Sequence, residues 1–279
     1  RVAFLPSVVS FVDLAFLHTM FKSKNEKLQW NGRLAIDNGN VHLNDFKLQF
    51  RGKTYLHATA HLKGFPDLSN TYVNGNLYSF STTVGDVQEL ISDVKPLSNI
   101  VLPNRFSKLG YVNLKAKLSG LINNLDVNTE LTSGIGAVSV KGNIKNVLEI
   151  KKLNYDILVA TDNLDVEDFI NQKNLLGKIT CNAFVIGSGI DMQSLNTGVE
   201  AEIEALEINQ YNYRNIFIQG TLDRKKFDGL VEINDTNIYF KFQGLADLSD
   251  TIYQFDFNST IQNARFSALH LTQHDSAVE

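Results

Sequence analysis

The stretch YLHATAHLKG, residues Tyr55–Gly64, alternates small or aliphatic side chains with polar or aromatic ones. Leu56, Ala58, Ala60 and Leu62 fall on one face of an extended chain, because successive side chains of a strand point to opposite faces. This period of two is typical of a β-strand with one apolar and one wetted face. Strands buried on both faces read as continuous apolar runs, so the pattern favours an antiparallel sheet.

The same alternation recurs along the chain, in VNLKAKLSG, NYDILVAT, KITCNAFVIG, VEAEIEALEI, NIYFKFQG and YQFDFNST. Counting such runs predicts about fifteen to eighteen strands bounded by Gly, Asn, Asp or Ser turns. We refer to the apolar members of these runs as the face residues: Leu56, Ala58, Ala60, Leu62, Val112, Leu114, Ala116, Leu118, Ile157, Val159, Ile179, Ala183, Val185, Val199, Ala201, Ile203, Ile238, Phe240, Phe242, Phe255 and Phe257.

Few segments have helical periodicity. The runs at 85–94 and 163–172 each follow a strand, carry an Asp near the start, and space Val, Leu and Phe as helices do, so both predict short helices. The apolar opening at 2–21 contains Asp13, which costs about 2.5–3.5 kcal/mol at the centre of a spanning helix. We therefore expect a strand or loop followed by a short helix near Val12–Phe21, rather than a membrane span or signal peptide.

A turn sequence is repeated. KGFPDLSNTYV, Lys63–Val73, returns as QGLADLSDTIY, Gln243–Tyr253, and related stretches surround Gly120 and Gly187. We expect a strand to end and reverse at each of these glycines, at a spacing of roughly sixty residues. Residues 1–279 are thus predicted to form a single elongated β domain of quasi-repeats, about sixty residues each.

Composition excludes several classes of function. The net charge is -4 and the longest basic run is the triplet Arg224-Lys225-Lys226, so the sequence lacks the extended basic patch of a protein that binds nucleic acid or an anionic membrane. The single cysteine, Cys181, shares a strand face with Ile179 and Ala183 and is interpreted as a small apolar residue rather than a nucleophile.

The sequence contains no recognisable set of metal ligands or catalytic residues. His57 and His61 share a strand face but lie about 13 Å apart along an extended chain, too far for one metal ion. His270 and His274, near Asp275, are interpreted as solvated tail residues rather than metal ligands. The carboxylates of LDVEDF suit the first turn of a helix, and no G-x-S-x-G elbow occurs. We predict a protein that is not an enzyme and has no metal ion or cofactor.

A resemblance is carried by several runs. In Tyr213–Leu271 these are Gly220 after an alternating strand, the strand FDGLVEIND, the turn GLADLSD and the closing ARFSALHL. LVATDNLDVEDFI at 158–170 and VSFVDLAFL at 9–17 fit the same pattern. The chain resembles the TamB family of the AsmA-like group, in its Bacteroidetes-type forms. The chain starts with Arg1, and we expect it to be a middle portion of a longer protein.

The resemblance implies an elongated antiparallel sheet curled into an open, apolar trough in the periplasm. An inner-membrane anchor is expected outside this stretch. The implied function is non-catalytic: conducting phospholipid between the inner and outer membranes, assisting outer-membrane protein assembly with a TamA-like barrel partner, or both. The face residues would then contact phospholipid acyl chains. Each buried methylene contributes about 0.8 kcal/mol, so a long acyl chain would gain on the order of 10 kcal/mol.

An alternative is a β-rich carbohydrate-binding or adhesion module. A two-layer sandwich has the same alternation, since its second sheet covers the apolar face. Such a module predicts a closed core with a local cluster of exposed Tyr or Trp. Trp30 with Phe46 and Phe50 is one candidate sugar platform, although packing in the core is the default for such residues.

Overall fold

The computed structural model describes residues 2–4, 7–10, 27–50, 52–92, 101–102, 104–167, 176–272 and 277–278. These residues contain one α-helix, α1 (Val84–Ser92), and short 3₁₀ turns at Leu68–Asn70, Asn104–Leu109 and Ile150–Lys152. The strands are β1 (Val2–Phe4), β2 (Ser7–Ser10), β3 (Lys27–Asp37), β4 (Asn40–Phe50), β5 (Thr54–Lys63), β6 (Tyr72–Thr83), β7 (Tyr111–Leu121), β8 (Asn124–Ser133), β9 (Gly136–Lys145), β10 (Asn154–Asp165), β11 (Leu176–Ser188), β12 (Asn196–Ile208), β13 (Tyr211–Asp223), β14 (Lys226–Asp235), β15 (Ile238–Asp247), β16 (Gln254–Gln262), β17 (Ala264–Arg265) and β18 (Ala277–Val278).

The strands form one antiparallel sheet whose spatial order follows the chain. The order is β1, β3, β4 and so on to β16, with β2 also pairing with β3, and the sheet is not closed into a barrel. A second, two-stranded sheet pairs β17 with β18. The predictions of a mostly β chain, antiparallel pairing and a count between fifteen and eighteen are confirmed within the described residues.

The chain divides into two compact units. Unit 1 comprises Arg1–Gly134 and Lys141–Ile150, and unit 2 comprises Ile135–Val140 and Lys151–Glu279. In unit 1 the densest core lies on β3 and β4, where Trp30, Phe46 and Phe50 are at most 7% exposed. The rings of Trp30 and Phe46 lie 6.2 Å apart between centroids. These aromatic residues therefore belong to the core and offer no sugar platform.

Two bulges interrupt the alternation of β3 and β4. The register shifts after Asn31 and again between Leu43 and Phe46. Gly32 lies in the first of these, with a φ of 105°, and a Cβ placed on it would come within 2.3 Å of the Asp45 carbonyl oxygen. Only glycine tolerates that backbone conformation without strain, so the bulge depends on this residue.

Polar contacts join the start of β5, the end of β6 and α1. Thr54 and Thr82 are 1% and 2% exposed, and their hydroxyl oxygens lie 2.8 Å apart. The Thr54 hydroxyl also donates to a carboxylate oxygen of Asp86 in α1, at 3.3 Å. The helix predicted at 85–94 is thereby confirmed as α1. The second predicted helix, at 163–172, is wrong at its start, because β10 continues to Asp165, and residues 168–172 lie outside the described residues. The helix predicted near Val12–Phe21 lies wholly outside them.

In unit 2 the core lies where the chain folds back over its own sheet. Ala264 and Leu269, after β16, are fully buried and pack with Tyr213, Ile216 and Ile238. Backbone hydrogen bonds hold this segment in place, including the one from the Arg265 N–H to the Asn237 carbonyl at 3.0 Å. We call residues 264–269 the covering segment.

The glycines of the repeated stretches do not all mark turns. Gly64 follows β5 and has a φ of 103°, as a reversal requires. Gly120, Gly187 and Gly244, however, lie inside β7, β11 and β15, which end one to three residues later. The reversals therefore follow these three glycines by a few residues instead of occurring at them. At Gly244 the reason is close strand approach, because a Cβ there would lie 2.3 Å from the Asp256 carbonyl oxygen. The acidic turns of the repeated sequence are present, because the carboxylates of Asp67, Asp191 and Asp247 each accept from the backbone N–H two residues later.

Within the described ranges, every helix is too short or too polar to cross a lipid bilayer.

Candidate functional site

The face residues of unit 1 lie on one side of the sheet. Ala58 of β5 is directly opposite Leu77 of β6, which is opposite Ala116 of β7. Because directly opposite residues of neighbouring strands share a face, the same register places every face residue of β5 and β7 together: Leu56, Ala58, Ala60, Leu62, Val112, Leu114, Ala116 and Leu118.

The face residues of unit 2 likewise share one side. Val159 of β10 is opposite Ala183 of β11, and Ala183 is opposite Ala201 of β12. The pairing continues through β13 and β14 to β15 and β16, and thus joins Ile157, Val159, Ile179, Ala183, Val185, Val199, Ala201, Ile203, Ile238, Phe240, Phe242, Phe255 and Phe257. These side chains are all uncharged, and the face between them also carries a few polar residues, such as Ser259 opposite Phe242 and Asp235 opposite Ile238.

Protein covers the apolar face of unit 2 only in part. Ala201, Ile203 and Ile238 are buried and belong to the cluster that includes the covering segment. On β16, in contrast, Phe255 is 57% exposed and Phe257 is 44% exposed. The accessible part of the face therefore grows toward β16 and away from the covering segment.

A row of glycines crosses the apolar face of unit 2. Gly220, Gly229 and Gly244 are directly opposite one another on β13, β14 and β15. A Cβ on Gly229 would lie 2.3 Å from the Gln219 carbonyl oxygen and 2.6 Å from the Gly220 Cα. In a flat sheet opposite residues have room for side chains, so these contacts show a sheet that bends toward its apolar face along the row.

Aromatic rings border the glycine row. Phe242 lies 6.3 Å from Phe227 and 4.9 Å from Phe257 between ring centroids, and Phe255 packs edge-on to Phe257 at 6.2 Å. Phe242 is two residues from Gly244, and Phe257 is directly opposite Gly244. These large aromatic rings therefore border a strip of the apolar face that carries no side chains.

The opposite face is polar and carries ion pairs on both units. On unit 1, His57 Nε2 lies 2.6 Å from a carboxylate oxygen of Asp45, whose second oxygen accepts from Lys47 Nζ at 3.4 Å. The hydrogen bond from His57, followed by that from Lys47, lowers the pKa of Asp45 below its usual value. On unit 2, Lys241 and Glu232 form an exposed pair at 3.9 Å.

Some apolar residues of the face were missed in the sequence. Leu77 and Phe80 of β6 lie on the face of unit 1, but a register shift between them breaks the alternation. Ile216 and Ile218 of β13 and Val231 of β14 lie on the face of unit 2. In the run NIFIQG at 215–220, Ile216 and Ile218 fall on one face of an extended chain. This pattern would have been sufficient to add these two residues of β13 to the predicted face residues.

Few groups in the described part of the chain suit catalysis or metal chelation. No three of His, Cys, Asp and Glu converge there on one point; His274 lies outside the described residues. Cys181 lies on the apolar face, half-buried, with its Sγ 3.4 Å from the Thr161 hydroxyl. Exposed tyrosines, such as Tyr55, Tyr72 and Tyr111, are distributed over β5, β6 and β7.

Comparisons with models of known families, with curated proteins and with solved structures find no match to this chain. The resemblance to the TamB family remains a prediction.

Proposed function

We propose that the apolar sheet face of each unit binds hydrocarbon, and that the natural ligand is the acyl chain of a phospholipid. The observation that carries the proposal is the incompletely covered face of unit 2, with Phe255 and Phe257 about half exposed. Soluble proteins rarely expose contiguous apolar patches unless these bind a partner or ligand. An acyl chain fits such a surface, since it requires no charged or hydrogen-bonding group along its length.

The energetics favour this ligand. Burial of hydrocarbon contributes about 0.8 kcal/mol per methylene. Contact with ten methylenes on a half-buried face would contribute on the order of 4 kcal/mol if half of each group's surface is covered. Affinity of this size permits release as well as binding, as a carrier or conduit requires.

The wider role follows from the resemblance. We propose a non-catalytic protein of the bacterial cell envelope, acting in the periplasm, that conducts phospholipid between the inner and outer membranes. Assistance to outer-membrane protein assembly, with a TamA-like barrel partner, is part of the same proposal. Inner-membrane anchoring is expected from a segment outside this chain.

Site-specific photo-crosslinking tests lipid contact directly. A photoreactive amino acid replaces Phe240 or Ala60 on the apolar faces, and Lys241 or Thr59, their immediate neighbours on the opposite face, serve as controls. Each protein is irradiated with phosphatidylethanolamine vesicles and analysed by intact mass. We expect lipid adducts at Phe240 and Ala60 and few at the controls. Adducts of equal yield on both faces, or adducts to protein alone, would contradict the proposal.

A further inference from the structure

Two histidines lie side by side on the polar face of unit 1. His42 of β4 is directly opposite His61 of β5 in the sheet register. Their rings are stacked, with centroids 4.2 Å apart and planes 12° from parallel. Both side chains are exposed, so water and dissolved ions reach them. The pair cannot be recognised in the sequence, because the two histidines are nineteen positions apart and belong to different strands.

The residues that flank the pair on the two neighbouring strands, β3 and β6, are uncharged. Ala35 of β3 is opposite His42 on the far side, and Asn74 of β6 is opposite His61. Lys63 is two residues from His61 on the same strand face and opposite Asn40. The amide oxygen of an asparagine is an acceptable additional ligand for a divalent ion, whereas the lysine is not a ligand when protonated.

We propose that His42 and His61 form a binding site for a divalent transition-metal ion of the class that prefers imidazole nitrogen: Cu²⁺, Ni²⁺ or Zn²⁺. The pair supplies two ligands, and water completes the coordination sphere. In the usual order of affinities Cu²⁺ binds most tightly of the three. This inference is independent of lipid binding, because the pair lies on the face opposite to the apolar one.

The stacked orientation is not itself the ligating one. A metal ion lies in the plane of each imidazole ring, at about 2.0–2.1 Å from the nitrogen, and two parallel planes 4 Å apart share no such point. Rotation about the Cβ–Cγ bond of each ring tilts the planes toward each other, and this torsion is soft. Both side chains are exposed, so the rings have room to turn toward solvent.

His57 provides a matched control on the same face. It lies on β5, four residues before His61, but its Nε2 is already within 2.6 Å of Asp45 and its ring contacts Tyr78 at 4.8 Å. It has no histidine opposite it, because its partners in the register are Lys47 and Ser79. A metal ion that binds isolated surface histidines would not distinguish His57 from the pair.

Titration of the full chain with Cu²⁺ alone, followed by calorimetry and by electron paramagnetic resonance, tests the site. We expect one tight equivalent with a two-nitrogen signature, and an affinity about tenfold or more weaker in either His42→Gln or His61→Gln, because a second tethered ligand raises the effective concentration. His57→Gln should bind as the wild type does. Circular dichroism verifies that each variant is folded, and the two pair variants serve as replicates.

The proposal is overturned if His42→Gln and His61→Gln retain wild-type affinity, or if His57→Gln loses as much affinity as they do. A signature of a single coordinating nitrogen in the wild type would overturn it as well.

Discussion

Replacing Gly229 with alanine tests the close approach of β13 and β14 on the apolar face. The added Cβ would lie 2.3 Å from the Gln219 carbonyl oxygen, where ordinary contacts begin at 3.4 Å. The two nearest atoms that it meets are backbone atoms of β13, so movement of the third neighbour, the Phe227 ring at 2.9 Å, does not relieve the clash. The two strands must separate by about 1 Å or the sheet must flatten.

The expected cost follows from the hydrogen bonds that separation weakens. Two to four ladder bonds beside Gly229, at about 1 kcal/mol each, amount to roughly 2–4 kcal/mol. Alanine also lowers the conformational entropy of the unfolded chain, which offsets about 0.4–1 kcal/mol of this loss. The net expectation is a loss of about 2–3 kcal/mol in the free energy of unfolding of unit 2.

Urea unfolding followed by two probes makes this measurement. Far-UV circular dichroism reports the whole sheet, while fluorescence of Trp30, the single tryptophan, reports unit 1. Gly229→Ala should move the dichroism transition to lower urea and leave the Trp30 transition in place. Gly85→Ala in α1 is the control: its Cβ meets only the Thr83 hydroxyl, at 4.0 Å, so we expect a gain of about 0.5–1 kcal/mol. Unchanged dichroism in Gly229→Ala would refute the close-approach reasoning.

Three further predictions concern the cores and the pH response. Thr82→Val removes the buried hydroxyl partner of Thr54 and should cost about 1–2 kcal/mol, seen as an earlier Trp30 transition in urea; an unmoved transition would contradict the buried bond. Leu269→Ala should lower the free energy of unfolding by about 2–5 kcal/mol, or by less if the covering segment detaches. The measurement is hydrogen exchange, which should become faster in that segment and its neighbours. Unchanged exchange would show that burial of Leu269 contributes little to stability. The pKa of Asp45 is lowered by His57, so its contribution to stability is present above the unfolded value of about 3.9 and is lost as pH falls through the lower folded value. Asp45→Asn should therefore flatten the acid loss of stability below about pH 4, measured by unfolding at stepped pH, and an unaltered slope would exclude this role.

Period-two alternation was sufficient to predict the fold class and the shared face of the strands. It succeeded because each strand has one apolar side, and a shift of one residue would expose that whole side. β7, for example, places Val112, Leu114, Ala116 and Leu118 on one face as its sequence indicates. The bulge in β6 defeats the same rule, because one extra residue between Leu77 and Phe80 inverts the order of faces.

The sequence was a poor guide wherever residues distant in the chain come together. The repeated turn sequences suggested reversals at Gly120 and Gly244, but glycine at these positions serves strand contact, which depends on the neighbouring strand. Folding back of residues 264–269 onto Ile216 and Ile238 leaves no periodic signal, since Ala264 and Leu269 are separated by an irregular segment. The stacking of His42 on His61 depends on register and has no local signature.

The most direct test of hydrocarbon binding places one positive charge on either face of β15. Phe242→Lys introduces the charge into the aromatic border of the apolar face, and Gln243→Lys introduces it one residue later, on the exposed opposite face. Binding of a fluorescent sixteen-carbon fatty acid is measured for both variants, after circular dichroism verifies their folds. Loss of contact with two to three methylenes, about 2 kcal/mol, corresponds to roughly thirtyfold weaker binding for Phe242→Lys. Gln243→Lys should bind as the wild type does; equal affinities in both variants would contradict hydrocarbon binding on this face.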